Sequence, residues 1–318
     1  MNINIFKSPW LLAGLAALAI FALSFLAINY VSQPDEEKGP EVKNEVIATL
    51  QSNPELIEIA RKQGWIEASA TEMTSVDASK VTDIATVFSG SAIKSFDEFR
   101  YFVGLLDIQQ GAFAHAEALT SIVIPAYVQD IKAGAFAYCP SLKQLQVDSA
   151  NTHYDSRGNC NAVICTWKGK LMLVAGCATS VIPADVRYLA SQAFCGCTAL
   201  KSVTFPERFE EIGEDAFRDC TSLESIELPQ GMRFVEAGTF AGCTGLRSLT
   251  LSKSVERLRK DAFAGCSSLS TIVSPKRYPP IIEKAFDVYN ATVYVPKGMQ
   301  NKYFTKAGWK TFKHYKEI

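Results

Sequence analysis

The apolar positions of the chain fall into columns. Leu119, Leu142, Leu200, Leu223, Leu246 and Leu269 form one, and Ile122, Leu145, Val203, Ile226, Leu249 and Ile272 a second. Ile124, Val147, Phe205, Leu228 and Leu251 form a third. A fourth, Ile108, Ile131, Leu189, Ile212, Val235, Leu258 and Ile281, stands five residues before a column of phenylalanines. Each Leu-x-x-Ile-x-Ile unit ends in alternation, which predicts a short strand with one buried face. The phenylalanines set the period. Phe194, Phe217, Phe240, Phe263 and Phe286 are 23 residues apart, as are Phe113 and Phe136. A fixed period in the twenties predicts a stacked solenoid, because no single repeat can bury its apolar face alone. The interval from Phe136 to Phe194 is 58 residues, one period plus an insertion of 35, placed at 148–185.

The insertion reads as a β-hairpin. Ala162–Thr166 and Leu171–Ala175 are apolar runs around Trp167-Lys168-Gly169-Lys170, and a two-residue turn at Lys168-Gly169 pairs Trp167 with Lys170. Carried outward without a slip, that register sets Cys160 opposite Cys177. It predicts a disulfide or a close thiol pair at the hairpin base in an exported protein; two unlinked thiols in a hairpin with another turn are the alternative.

Ahead of the repeats, Trp10 to Val31 is a run of 22 uncharged residues between Lys7 and Asp35-Glu36-Glu37. It is long enough for a membrane-spanning helix with the body of the chain outside. It also fits a signal peptide cleaved near Ala22-Leu23-Ser24. Residues 1–33 are therefore a signal or an anchor, and either predicts export. Residues 34–107 are expected to be a linker and a helical cap, with helices over 41–51 and 54–63, the second capped by Asn53 with Pro54 in its first turn. Residues 108–318 form the repeat domain, closed by a cap over 286–318.

Charge and chemistry narrow the function. The formal net charge is −1 and the pI about 6.4, so no overall basic field exists to hold nucleic acid. Cys139, Cys197, Cys220, Cys243 and Cys266 follow marker phenylalanines by three residues, and Ala116 holds that place in the first repeat. The column reads as a small apolar side chain, not a metal or redox site. His115, His153 and His314 have no nucleophile or acid grouped with them, and His115 occupies what reads as a tolerant loop position. No phosphate loop, serine elbow or zinc motif appears. Neither catalytic residues, metal nor cofactor is predicted.

The pattern Ile-x-x-x-Ala-Phe-x-x-Cys-x-x-Leu-x-x-Ile-x-Ile-Pro over 108–275 resembles the BspA-like leucine-rich repeat. Tyr294-Val295-Pro296-Lys297-Gly298, Tyr303 and Trp309 resemble the closing cap of such proteins, and the 80–102 run resembles their lead-in. In many of them a calcium loop follows a tryptophan. Here, after Trp65, the first, third, fifth and sixth positions of that loop are Ile66, Ala68, Ala70 and Thr71, and of the ligand positions only the closing one, Asp77, could bind, so helical capping is the expected role. The resemblance implies a leucine-rich-repeat solenoid of α/β type with short parallel strands. It implies a surface-exposed, non-enzymatic protein that binds protein or glycan, with adhesion the related role. The expected binding stripe is a concave strand face carrying Lys143, Gln144, Gln146, Lys201, Thr204, Glu224, Glu227, Arg247 and Thr250. The alternative is an envelope scaffold, tethered through Trp10–Val31, with no dedicated ligand.

Overall fold

The computed structural model describes residues 42–318, which form one compact unit. The segment Trp10–Val31 lies outside the described residues. Among the described residues no helix is long and apolar enough to cross a membrane.

Alternation within the repeats gives strands that pair in parallel with their hydrophobic residues in line. Ser225–Glu227 pairs with Ser248–Thr250, then Thr271–Val273, Thr292–Val295 and His314–Glu317. Ile226, Leu249, Ile272 and Val293 occupy one inward rung and are buried. An earlier block pairs Ser121–Ile124 with Gln144–Val147, and Ser95 bridges to Ser121. A second set of two-residue strands carries the isoleucine column, with Val235 beside Leu258 and Ile108 beside Ile131. Its last member is Ile282, not Ile281: Leu258 pairs with Ile282, and Ile281 is 42% exposed. Pro279 and Pro280 have no N–H for the ladder, and the Pro280 carbonyl accepts the Trp309 indole N–H (2.7 Å).

Between the ladders the phenylalanines stack. Centroids from Phe194 through Phe217, Phe240 and Phe263 to Phe286 are 5.1 to 5.4 Å apart, with planes within 12° of parallel. A separate stack runs from Phe88 through Phe113 to Phe136. Phe88 falls outside the 23-residue spacing and was not expected in it. The cysteine column does more than fill volume. The thiols of Cys139, Cys220, Cys243 and Cys266 donate to the carbonyls of Phe113, Phe194, Phe217 and Phe240, one rung back, at 3.0–3.3 Å.

The hairpin divides the two stacks. Lys168 and Gly169 both have positive φ (49° and 73°), the two-residue turn expected from the sequence. Trp167 pairs with Lys170, and the register holds as far as Ile164 opposite Leu173. There a bulge intervenes, and Val163 pairs with Ala175. This corrects the predicted opposition of Cys160 and Cys177. One extra residue turns the outer part of the second strand over, because side-chain direction alternates. Cys160 enters the C-terminal core with Ala162, Ile164 and Leu173, whereas Cys177 enters the N-terminal core with Val163, Val174 and Ala175. Both are free thiols. The run Ala162-Val163-Ile164 is wholly buried because its two faces serve different cores.

Backbone bonds hold this seam together. The Gly176 N–H donates to the Ala193 carbonyl, in the row where phenylalanine N–H groups donate in regular rungs, as Phe217 does to Thr239. A Cβ on Gly176 would fall 2.3 Å from the Phe194 ring. The side chain of Asn161 stands in for a strand at the edge of Gln144–Val147: its Oδ1 accepts the Leu145 N–H (2.8 Å), and its Nδ2 donates to the Lys143 carbonyl. On the turn side the Tyr138 N–H donates to the Cys195 carbonyl, and its hydroxyl donates to Asp219 (2.7 Å).

The N-terminal cap is mixed. The helix Pro54–Gln63 forms as expected, with the Leu56 N–H on Asn53 Oδ1 (3.2 Å). The helix expected over 41–51 is instead a strand, Val46–Thr49, antiparallel to Glu72–Thr74. Val46, Ile47 and Thr49 are β-branched and favour that form once a partner strand is available. Asp77, the one ligand position that could bind in the loop after Trp65, caps the short helix Ser75–Ser79, accepting from Thr74 N–H and Oγ1–H. Trp65 packs on Phe88 and Phe102 and covers the end of the stack.

Candidate functional site: the strand face

Outward positions of the strands alternate with the buried rungs, so the expected stripe residues all reach solvent. Gln144 and Gln146 project from the Gln144–Val147 strand, with Lys143 just before it, and all three are exposed. Glu224, Glu227 and Arg247 are exposed and Thr250 half-buried. Glu227 lies beside Thr250 in the ladder, and the Arg247 N–H donates to the Glu224 carbonyl. Lys201 and Thr204 are exposed, but residues 201–205 form no strand. Among the described residues, the Glu224 N–H to the Lys201 carbonyl (3.1 Å) is the backbone bond joining 201–205 to the next repeat.

The stripe is thus two blocks, 121–147 and 225–317, with an interruption after the hairpin. Beside it opens a cleft of about 350 Å³ between Val203–Glu207 and Glu227–Gln230. Sequence reasoning missed this cleft. The available signal was Phe205, an aromatic where the column otherwise carries Ile, Val or Leu. Its ring leans on Phe209 and, edge-on, on Phe217, and it is half-buried.

Charges on the two ladders are treated differently. Beside the isoleucine ladder, Arg233 pairs with Glu256 (2.9 Å), Arg259 with Glu236 (2.9 Å), Arg257 with Glu283, and Lys170 with Glu210 (2.7 Å). The Lys170 hydrogen bond holds the Glu210 carboxyl below its ordinary range. On the strand face, Lys143, Lys201, Glu224, Glu227 and Arg247 enter no ion pair among the described residues.

The other candidate groups are dispersed. His115 is exposed and stacks on Tyr138 (4.6 Å). The loop position it occupies takes a left-handed backbone in each repeat from Phe113 to Phe263. His115, Tyr138, Gly196, Asp219, Gly242 and Gly265 all take positive φ of 57–73°, a region that favours glycine. His153 bonds Thr152 in the turn before the hairpin, and His314 is on the terminal strand. Burial pushes the Cys139, Cys197 and Cys266 thiols up to about 12 and raises those of Cys220 and Cys243 well above the ordinary thiol range. These thiols stay protonated at neutral pH, and only the thiolate attacks electrophiles or binds metal. Among the described residues no group of three or more His, Cys, Asp or Glu is placed to hold a metal ion. Alkylation of the unfolded protein should therefore add nine groups with or without prior reduction, and the native column cysteines should resist it. A two-group deficit without reductant, read by intact mass, would restore the disulfide.

The family described as BspA type leucine-rich repeat region matches residues 71–161 and 176–292 in six copies. No curated protein matches the sequence. Among solved structures, the pneumococcal vaccine antigen PcpA aligns at 18% identity and a TM-score of 0.51, over 68% of this chain and 66% of that one. A leucine-rich cell surface protein from Faecalibacterium prausnitzii aligns at 22% and 0.48, over 67% and 57%. A leucine-rich-repeat protein from Eubacterium ventriosum aligns at 20% and 0.44, over 67% and 61%. The chain spans less than two thirds of each of those proteins.

Proposed function

This chain belongs to the BspA-type leucine-rich-repeat family, and from that premise we propose that it is an exported, non-enzymatic binding scaffold of the cell surface. Its strand face takes a protein or glycan, with adhesion as the outcome, and Trp10–Val31 directs export as signal or anchor. The observation that carries this reading is the contrast between the two ladders. Beside the isoleucine ladder Arg233, Arg257, Arg259 and Lys170 are matched by carboxylates, whereas among the described residues Lys143, Lys201, Glu224, Glu227 and Arg247 along the two blocks of the stripe have no ion-pair partner. Free charges of changing sign give register and selectivity to a docking partner. A fixed solenoid frame with variable outward residues supplies an extended surface.

The test is binding of the purified protein to arrays of glycans and extracellular matrix proteins, beside the double variant Glu224→Lys/Glu227→Lys. Reversal of two adjacent charges should weaken a strand-face ligand on the order of tenfold or more. Equal binding by both proteins would move the site off this face. Absence of any saturable ligand, with retention in the membrane fraction, would favour the envelope-scaffold reading.

A further inference from the structure

The near-neutral chain is electrically lopsided. Residues 276–318 hold nine Lys and Arg against three acids, a net charge of +6, while the whole chain has −1. The three acids are already engaged. Glu283 pairs with Arg257, Asp287 accepts the Gly265 N–H (2.9 Å), and Glu317 accepts the Gly298 N–H (2.9 Å). Among the described residues none of the nine cations enters an ion pair. Lys297, Lys302, Lys306, Lys310, Lys313 and Lys316 are all exposed.

The same segment concentrates exposed apolar surface. Tyr278, Ile281, Phe304 and Ile318 are four of the ten large hydrophobic residues exposed among residues 42–318. Tyr278 is 68% and Phe304 47% exposed, and Lys302 Nζ lies 4.1 Å from the centre of the Tyr278 ring. Closing the solenoid explains the inner side of this cap, where Tyr303, Trp309 and Phe312 are fully buried. It does not explain the outer side. Solubility is served by charges of balanced sign and few exposed aromatics, and this segment carries three cations for each acid beside two exposed aromatic rings.

We propose that the C-terminal cap is a docking surface for an anionic phospholipid bilayer. Clustered lysines are drawn to the negative headgroup layer, and tyrosine and phenylalanine rings settle at the boundary between headgroups and acyl chains. A soluble polyanion would satisfy the lysines and leave the rings in water, which is why the bilayer is the better partner. This surface is independent of the strand-face stripe, and either can fail without the other.

The test is lysine acetylation footprinting of the full-length protein, read peptide by peptide. Vesicles with about a third anionic phospholipid should slow acetylation of Lys302, Lys306, Lys310 and Lys313 several-fold and leave Lys143 and Lys201 unaffected. Protection should vanish as salt rises from about 0.1 M to about 1 M, where the screening length falls from about 10 Å to about 3 Å. The triple variant Lys302→Glu/Lys306→Glu/Lys310→Glu should lose vesicle affinity on the order of a hundredfold. Tyr278→Ser/Phe304→Ser should lose vesicle protection but keep any heparin binding. Equal protection by zwitterionic vesicles would assign the effect to the apolar N-terminal segment and overturn the proposal. Protection by heparin but not vesicles would overturn it in favour of a soluble polyanion. Protection that grows with protein concentration alone would overturn it in favour of a second copy of the chain. Should the triple variant fail to fold, the footprint of the unaltered protein decides by itself.

Discussion

Phe240→Ala is expected to destabilise the solenoid by about 3–5 kcal/mol, the cost of deleting a fully buried aromatic from a site that cannot collapse. Phe240 has no exposed surface and stacks on both sides, 5.3 Å from Phe217 and 5.4 Å from Phe263. Its own carbonyl accepts the Cys266 thiol, so the rung is fixed from backbone and side chain together. In a one-dimensional array each rung is stabilised only by its neighbours, and this substitution damages two interfaces at once. Phe136→Ala makes the internal comparison. Phe136 stacks on Phe113 alone and is 7% exposed, so its loss should be smaller. Urea unfolding midpoints of the two variants measure the difference. Equal losses, or a loss under about 1 kcal/mol for Phe240→Ala, would show that the ladder is not the main source of cohesion.

The second large effect is expected at the seam. Gly176→Val should cost about 3 kcal/mol, at the upper end for overpacking a filled core. The added Cβ would fall 2.3 and 2.4 Å from two carbons of the Phe194 ring, and neither partner is free to yield. The Gly176 N–H is bonded to Ala193, and the Phe194 ring stacks on Phe217. Gly176 has no positive φ among the glycines that show one, so the penalty is steric, not conformational. A double-mutant cycle separates this from general damage. Phe194→Leu, harmful alone, should recover at least about 1 kcal/mol in the Gly176→Val background, because the two sites share one volume. Additive losses would mean that the ring and the glycine do not compete for space.

Seam and ladder differ in how far the sequence reveals them. The ladder is visible because period and packing are the same fact: side chains 23 residues apart must meet if each repeat makes one turn. The buried rungs, the stacked rings, the hairpin turn at Lys168-Gly169 and the capped helix at Asn53 all follow from local rules applied at short range. The strand Val46–Thr49 did not follow, because its partner Glu72–Thr74 is supplied from across a helix. The Cys160–Cys177 opposition failed for a similar reason. A single bulge residue, selected by the need to feed two cores, reversed the outer part of one strand, and no local pattern announces a bulge.

The candidate site divides along the same line. That Lys143, Gln146, Glu224, Glu227 and Arg247 face solvent was legible from alternation alone. That their charges stay unpaired, while Arg233, Arg257 and Arg259 find carboxylates on the other ladder, depends on neighbours brought beside them only by stacking. The cleft next to Phe205 likewise exists because the hairpin interrupts the ladder at Lys201–Phe205 and the backbone there finds one bond to the next repeat.

By itself, then, the sequence determined the period, the identity of the inward columns and the kinship with BspA-type repeats, since each rests on spacing along one chain. The tertiary structure decided which thiol enters which core, which charges are neutralised, where the strand face is broken, and that Lys302 of the last turn lies against the exposed ring of Tyr278. Those outcomes depend on distances between residues far apart in the chain, and such distances are fixed only when the turns are stacked.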